Sequence, residues 1–276
     1  HDTNSKIGRV FLDMHPRQNK YSHAAQFPIR SGVEGYQVPE GALVCNFARD
    51  SLDHREVETF FHEFGHLLHH ILGGQRMRFA EFSGVATEWD FVEAPSQMFE
   101  EWAFDRETLQ GFAVDSAGNH IPDDLVHKLS ESRLFGRSLQ TRQQMFYAQL
   151  SLQLHNRDPA TFDVSTLAKQ IQVDFSPFPH VEGTEMVASF GHLMGYSSNY
   201  YTYMWSLALA QHMFKEFKNN GLTDRHTSLK YRDDVLMAGG TRPASVLVYN
   251  FVESEFSLDA LIEYLSPSTN SASAAT

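Results

Sequence analysis

Apolar residues near the start of the chain recur at every second position, which is typical of β-strands. Val10, Leu12 and Met14 follow this period, and a second apolar run covers residues 41–47. Turn-forming prolines and glycines separate the two runs. The pattern predicts a small, mostly antiparallel sheet within residues 8–47.

The second of these runs is also a candidate for peptide binding. If residues 42–47 form an edge strand, an extended peptide can add to it through main-chain hydrogen bonds. Alternatively, residues 42–47 are a covering sheet edge without a role in binding, which would show the same sequence pattern. The sequence leaves both interpretations open.

A helical period begins after residue 53. Asp53 and Glu56 have the spacing of a capping box, and Gly73-Gly74 is a stop signal, so the predicted helix covers residues 54–72. Its apolar residues occupy more than one stripe: Val57, Phe60, Phe61, Phe64, Leu67, Leu68 and Ile71. Such a distribution is typical of a helix that is buried inside a domain.

This helix contains an H-E-x-x-H motif, His62-Glu63-Phe64-Gly65-His66. Residues four apart share a helix face, so both imidazoles can bind one metal ion while Glu63 lies beside its bound water. Zinc-dependent hydrolases use this arrangement with the glutamate as general base. Because the chain has 15 histidines, the motif alone can arise by chance, and the surrounding sequence has to decide.

A zinc site that keeps one position open for water needs a third protein ligand, commonly a carboxylate. Glu93 follows His66 within a second predicted helix, residues 87–104, and has apolar neighbours. A lone helical glutamate is more often a solvated surface charge, but the apolar surroundings weaken that interpretation for Glu93. Glu100 and Glu101, in contrast, are predicted to be solvated surface charges.

Three tyrosines further along the chain recur at spacings of four and three: Tyr196, Tyr200 and Tyr203. On a helix these three phenol groups share one face. Such a stripe is more often core packing than chemistry. A zinc peptidase, however, needs hydrogen-bond donors for the oxyanion of its intermediate, and the tyrosines can supply them together with His192, in a glycine-flanked loop predicted to be mobile.

The composition narrows the classes of partner. The chain has 22 basic and 34 acidic residues and a formal charge of -12, which disfavours binding to nucleic acid and anionic membranes. Cys45 is the single cysteine, so no intrachain disulfide can form, and no apolar run has the length of a membrane span. We therefore expect no nucleic-acid or membrane partner and a cytoplasmic location, with a periplasmic or organellar one left open.

Helical patterns dominate the remainder of the chain and recur over four ranges: 125–134, 137–155, 164–173 and 231–265. The last residues, 266–276, are rich in Ser, Ala and Thr and are predicted to be a flexible tail. The expected fold is mainly α with a small antiparallel β-sheet near the N-terminus, in a single domain over residues 1–265.

Three stretches together resemble a known family. They read HEFGHLLH at residues 62–69, DFVEAPSQM at 90–98 and SFGHLMGYSSNYYTYMW at 189–205, and the match extends to KYSHAAQ at 20–26. They resemble the M3 family of zinc metallopeptidases, the thimet oligopeptidase and dipeptidyl carboxypeptidase group. The resemblance implies a zincin-like catalytic domain that corresponds to the C-terminal part of the longer family members.

Roles for the first two stretches follow from the resemblance. It implies one zinc ion per chain with His62, His66 and Glu93 as ligands. Glu63 would be the general base and would also carry the proton to the leaving amine.

The resemblance assigns roles to the third stretch as well. It implies that His192 and Tyr203 donate hydrogen bonds to the transition state. The implied substrate-binding residues are Tyr196, Tyr200, Gly191 and Gly195. This chain has one glycine before the first tyrosine where the family usually has two, so the histidine can lie differently relative to the tyrosines.

The implied activity is the hydrolysis of short oligopeptides by a zinc-activated water, as in a metalloendopeptidase of the oligopeptidase type. Two alternatives stay open: a dipeptidyl carboxypeptidase that releases C-terminal dipeptides, and a non-catalytic, zinc-stabilised peptide-binding fragment. Family members place the site in a deep channel between two halves. A missing N-terminal half or a partner chain would therefore complete the channel around the peptide substrate.

Overall fold

The computed structural model describes residues 5–266, and within them helices predominate. The elements are β1 (Arg9–Asp13), β2 (Ala25–Arg30), β3 (Glu40–Val44), α1 (His54–Leu72), α2 (Glu93–Glu100), α3 (Arg106–Phe112), α4 (Asp123–Ser132), α5 (Arg137–His155), α6 (Val164–Phe175), α7 (Met186–Ser189), α8 (His192–Gly195), α9 (Thr202–Asn220), α10 (Arg225–Asp234), α11 (Ala244–Val252) and α12 (Asp259–Leu265). The predicted mainly helical class with a small sheet near the N-terminus is confirmed. The predicted tail lies outside the described residues, apart from Ser266.

The three strands form one mixed sheet in the order β1-β3-β2. β2 pairs with β3 in the antiparallel direction, but β1 and β3, which correspond to the two predicted strands, run parallel to each other. The expectation of a mostly antiparallel sheet is therefore wrong for one of the two pairings. The sequence pattern also missed β2, because Pro28 interrupts it, and proline is tolerated in a strand that lies at a sheet edge.

Strand β3 lies between the other two and has no free edge. The prediction that residues 42–47 form an edge open to strand addition is therefore wrong. One face of β3 instead covers the motif helix α1. Leu43, Cys45 and Phe47 are buried against Leu67 and Ile71 of that helix.

Helix α1 begins with the capping box. The Asp53 carboxylate accepts a hydrogen bond from the Glu56 backbone N–H at 2.9 Å, and the Glu56 carboxylate accepts one from the Asp53 N–H at 3.0 Å. These reciprocal bonds satisfy two backbone donors that a helix start otherwise leaves without partners. The helix ends at Leu72, directly before Gly73-Gly74.

A helix was predicted from residue 87, but α2 begins only at Glu93 and continues into a 3₁₀ turn over Glu101–Phe104. Residues before Glu93 form turns instead. Pro95 lies in the first turn of α2, where the N–H that proline lacks would have no helical partner.

Helix α2 lies between α1 and α9, and this packing brings distant parts of the chain together. The largest core cluster lies where α2, α9, α10 and α11 meet, and its fully buried members include Phe91, Met98, Met213, Val235 and Leu247. A smaller cluster joins α5 to α6. Among residues 5–266, none of the helices combines the length and apolar character of a membrane span.

Candidate metal centre

Two histidines of α1 and the first residue of α2 converge on one point. Glu93 Oε2 lies 3.0 Å from His66 Nε2 and 3.3 Å from His62 Nε2. One ligand atom from each of the three residues lies within 4.8 Å of the others. The predicted ligands are thus adjacent in space, although Glu93 belongs to a different helix.

A glycine makes this approach of the two helices possible. A Cβ built at Gly65 would lie 2.8 Å from Cα of Ser96 and 3.3 Å from the carbonyl oxygen of Pro95. Any other residue at this position would push α2 away from α1. Gly65 is therefore the reason that Glu93 can reach the face of α1 that carries the two histidines.

The electrostatics of the three side chains fit a cation. Burial raises the pKa of Glu93, but the adjacent imidazoles of His66 and His62 outweigh it and hold that pKa well below its usual range. Burial lowers the pKa of His62, and hydrogen bonds to Glu100 and Glu93 outweigh it and raise that pKa well above its usual range. Two imidazole nitrogens and one carboxylate oxygen form a donor set that zinc favours. The residues present therefore fit the metal that the motif predicts.

Glu63 is buried beside this centre, at the position after His62. Burial raises the pKa of the Cys45 thiol to about 12, and the Glu63 carboxylate adds to this shift. The same carboxylate contributes to the raised pKa of Tyr196. The Glu63 carboxylate thus acts electrostatically both on Cys45, which follows β3, and on the tyrosine segment.

The tyrosine segment reaches the centre through Tyr196. Its hydroxyl donates a hydrogen bond to Glu93 Oε1 at 2.9 Å, and its phenol is also hydrogen-bonded to that of Tyr203. Burial raises the pKa of Tyr203, and the charge of Glu93 raises it further. Both phenols are therefore protonated near neutral pH and can donate hydrogen bonds.

The three tyrosines do not share one helix face, because only Tyr203 lies on α9 and the residues between α8 and α9 form turns. Tyr200 is 7% exposed. Its ring packs at 5.5 Å from Tyr147 and 5.3 Å from Phe190, between ring centroids. The same ring also lies 5.5 Å from that of His192 and 5.0 Å from that of Tyr203, and the implied role of Tyr200 in substrate binding stays a prediction.

His192 begins α8, a single helical turn, where the sequence predicted a mobile loop. Its ring centroid lies 5.8 Å from that of Tyr196 and 6.0 Å from that of Tyr203. Burial lowers the pKa of His192, and the positive charge of His23 lowers it further. Gly191 directly precedes this turn and Gly195 ends it, and a Cβ added at either glycine would meet no atom within 4 Å.

These observations can be compared with known proteins. The sequence model of peptidase family M3 matches residues 1–266. The chain belongs to peptidase family M3. The resemblance seen in the sequence motifs is therefore confirmed.

Relatives within the M3 family are longer than this chain. A thimet-like oligopeptidase of Dictyostelium discoideum is 34% identical over 269 residues, which cover 92% of this chain and 40% of the relative. Oligopeptidase A of Escherichia coli K12 is 32% identical, with 96% of this chain and 41% of the relative covered. The chain thus spans about two fifths of the length of these curated relatives.

Solved structures show the same fold. A carboxypeptidase of Pyrococcus furiosus superimposes with a TM-score of 0.62 at 14% identity, covering 93% of this chain and 53% of that protein. At this level of identity the likeness concerns the fold alone. It shows that the helices and sheet described above are arranged as in that carboxypeptidase.

In this M3 chain, Glu100 and Glu101 are not the solvated surface charges that were predicted. Glu100 Oε1 lies 2.6 Å from His62 Nδ1. Glu101 is buried, where both of its oxygens accept hydrogen bonds from Arg133 at 2.7 Å and one accepts a further bond from Gln211 at 2.7 Å. Glu100 follows Glu93 by two helical turns, and this spacing was the sequence signal for a shared face.

His70 was not among the predicted site residues, although it continues the stripe of His62 and His66 by one more turn. Its Nε2 lies 2.9 Å from the Glu40 carbonyl oxygen and 3.1 Å from that of Arg30. His70 therefore joins the M3 motif helix to both β3 and β2. The spacing of four between the three histidines could have predicted this position, because residues four apart lie on the same face of a helix.

Proposed function

We propose that this chain carries the catalytic centre of a zinc-dependent peptidase that hydrolyses short peptides. The observation that supports it best is the convergence of His62 Nε2, His66 Nε2 and Glu93 Oε2, with Glu63 buried beside them. Membership of a peptidase family agrees with this proposal. The chain covers only 40% of the thimet-like oligopeptidase that it resembles, so we propose, rather than transfer from that relative, the activity of the whole protein.

The zinc ligands would be His62, His66 and Glu93. A zinc ion in this position supplies Lewis acidity and lowers the pKa of water from about 15.7 to about 7. Glu63 accepts the proton of the attacking water and delivers it to the amine that leaves. A general base of this kind typically contributes about 10² to 10⁴ to the rate.

The tyrosine segment supplies hydrogen bonds to the oxyanion. Tyr196 contacts Glu93 directly, so its hydroxyl lies at the edge of the ligand set. Tyr203 supports it through the phenol–phenol hydrogen bond. The His192 ring packs against both phenol rings, and His192 would contact the substrate beside them. Each donor of this kind is typically worth about 10² to 10³ in kcat.

The peptide would lie along the free edge of β2. Among the described strands, β2 pairs with β3 on one side only. His23 lies two residues before this strand and acts electrostatically on His192, where burial lowers the pKa and His23 lowers it further. An extended peptide that adds to β2 would therefore pass between the sheet and the tyrosine segment. The remaining part of the relatives' length, or a partner chain, would cover it from the other side.

The test is cleavage of a quenched-fluorescent peptide by the 276-residue chain, with and without a zinc chelator. We expect cleavage that the chelator abolishes and added zinc restores. Cleavage that survives full removal of metal would overturn the proposal. Peptide binding without metal-dependent cleavage would overturn it in favour of a non-catalytic peptide-binding role.

The same assay distinguishes the two peptidase types. A peptide with a free C-terminal carboxylate and its amidated counterpart would be compared by mass spectrometry of the products. An endopeptidase of the oligopeptidase type, which we propose, cleaves both at the same internal bond. Release of a C-terminal dipeptide from the free acid alone would identify a dipeptidyl carboxypeptidase instead.

A further inference from the structure

The last residue of α2 contacts the far side of a zinc ligand. Glu100 Oε1 lies 2.6 Å from Nδ1 of His62, while Nε2 of the same ring points at Glu93. Such a short distance is typical of a hydrogen bond with an ionised partner. The side chains of Glu100 and His62 are each 21% exposed, so water competes only weakly for this bond.

We infer that Glu100 is a positioning residue for His62. A carboxylate at Nδ1 accepts its proton and so directs the lone pair of Nε2 toward the metal position. It also fixes the rotation of the ring and makes the imidazole a stronger donor. The inference rests on the proposed zinc site, and it assigns to α2 two separate tasks: Glu93 binds the ion directly, and Glu100 orients a ligand on α1.

The contact is not needed to hold the two helices together. α1 and α2 already meet at Gly65, and the buried side chains of Phe91 and Met98 attach α2 to the main core. Among the described residues, His66 has no carboxylate contact of this kind at its Nδ1. Glu100 therefore acts on one ligand rather than on helix packing in general.

Other carboxylates close to Glu100 make its position costly. Burial raises the pKa of Glu58, and the charge of Glu100 raises it further, which shows that the two side chains repel each other. Arg133 forms its ion pair with the next residue, Glu101, at 2.7 Å; burial lowers the pKa of its guanidinium, and the negative charges of Glu101 and Glu100 both raise it. Among the described residues, the hydrogen-bonding partner of the Glu100 carboxylate is His62, as expected for a carboxylate whose role is to orient that ring.

The test measures zinc affinity by competition with a chromophoric chelator, so it does not depend on peptidase activity. Glu100→Gln keeps the shape of the side chain and removes its charge. We expect it to bind zinc about 10- to 100-fold more weakly than the unchanged chain. The absorption bands of bound Co²⁺ should shift as well, because the orientation and donor strength of one ligand change.

The matched control is Glu58→Gln, on the same helix as His62 and one turn before it. It removes a half-buried carboxylate near Glu100 but leaves the bond to His62 in place. We expect its zinc affinity to stay within threefold of the unchanged chain. An equal loss of zinc affinity in both variants would show that removing any nearby negative charge weakens zinc binding. That result would overturn the inference.

The remaining outcomes are separable. If the unchanged chain binds no zinc, the proposed function fails. If it binds zinc and Glu100→Gln binds equally well, the proposed function stands and the role of Glu100 is overturned. Should Glu100→Gln lower the unfolding temperature of the metal-free chain, Glu100→Asp replaces it, because it keeps the charge but shortens the reach. An unchanged zinc affinity and Co²⁺ spectrum in Glu100→Asp would then overturn the inference.

Discussion

Gly65 of the motif helix lies against Ser96 of the next helix so closely that a Cβ at Gly65 would be 2.8 Å from Cα of Ser96. This contact separates two roles inside the H-E-x-x-H motif. His62, Glu63 and His66 carry chemistry, whereas Gly65 provides the space that lets Glu93 reach them. The motif is therefore also a packing motif for α2.

Gly65→Ala is expected to destabilise the fold and weaken zinc binding together. The added methyl forces α1 and α2 apart, and overpacking of this kind costs about 1–3 kcal/mol. Chemical denaturation and zinc titration measure the two effects. Gly111→Ala in α3 is the control, since a Cβ there meets no atom within 4 Å, and it should be neutral or stabilising. Normal stability and zinc affinity in Gly65→Ala would contradict the packing role.

Glu63→Gln is expected to retain zinc and lose peptide hydrolysis. The amide keeps the shape of the side chain but cannot accept the proton of the attacking water, so kcat should fall by about 10² to 10⁴. Turnover and zinc content are measured on the same preparation. Unchanged turnover with full zinc content would rule out Glu63 as the general base.

Tyr196→Phe and Tyr203→Phe are expected to lower kcat by about 10² to 10³ with little change in KM, because both phenols act on the oxyanion rather than on ground-state binding. Tyr200→Phe is the comparison. Its ring is buried against Tyr147 and Phe190, so kcat and KM should stay close to those of the unchanged chain. A large rise in KM for Tyr200→Phe would instead show that Tyr200 binds the substrate, as the family resemblance implies.

Zinc is expected to stabilise the fold, since the ligands on α1 and α2 come together only in the native state. Free zinc at 100 times its Kd should add about 2.7 kcal/mol to the free energy of unfolding. Thermal unfolding with zinc and with a chelator measures this gain. His66→Ala should remove it. A gain of equal size in His66→Ala would show that the stabilising zinc binds elsewhere.

Much of the centre was predictable from local sequence. The capping box at Asp53 and Glu56 and the spacing of His62 and His66 are properties of a few consecutive residues, and helical geometry translates them directly into positions. Glu93 could be proposed because its neighbours are apolar. The family resemblance then added roles for His192 and the tyrosines, which stay predictions.

The contacts of Glu100 and Tyr196 could not be predicted from neighbouring residues in the sequence. Glu100 reads as a surface charge because a second glutamate follows it directly, yet its partner His62 lies 38 residues away. Tyr196 reads as part of a helical stripe, yet its hydroxyl binds Glu93, 103 residues away. No periodicity can reveal such contacts, because they depend on which helix packs beside which.

The sequence by itself determined the motif helix, its beginning and end, and the ligand types, because these follow from the geometry of consecutive residues. Only the tertiary structure decided that β3 is a central strand that pairs with β1 in parallel, and that Glu100 contacts His62. It also decided that Tyr196 rather than Tyr200 reaches the centre. The physical reason is that packing at Gly65 and in the core around Met98 selects one arrangement of α2, and that arrangement determines which distant side chains meet.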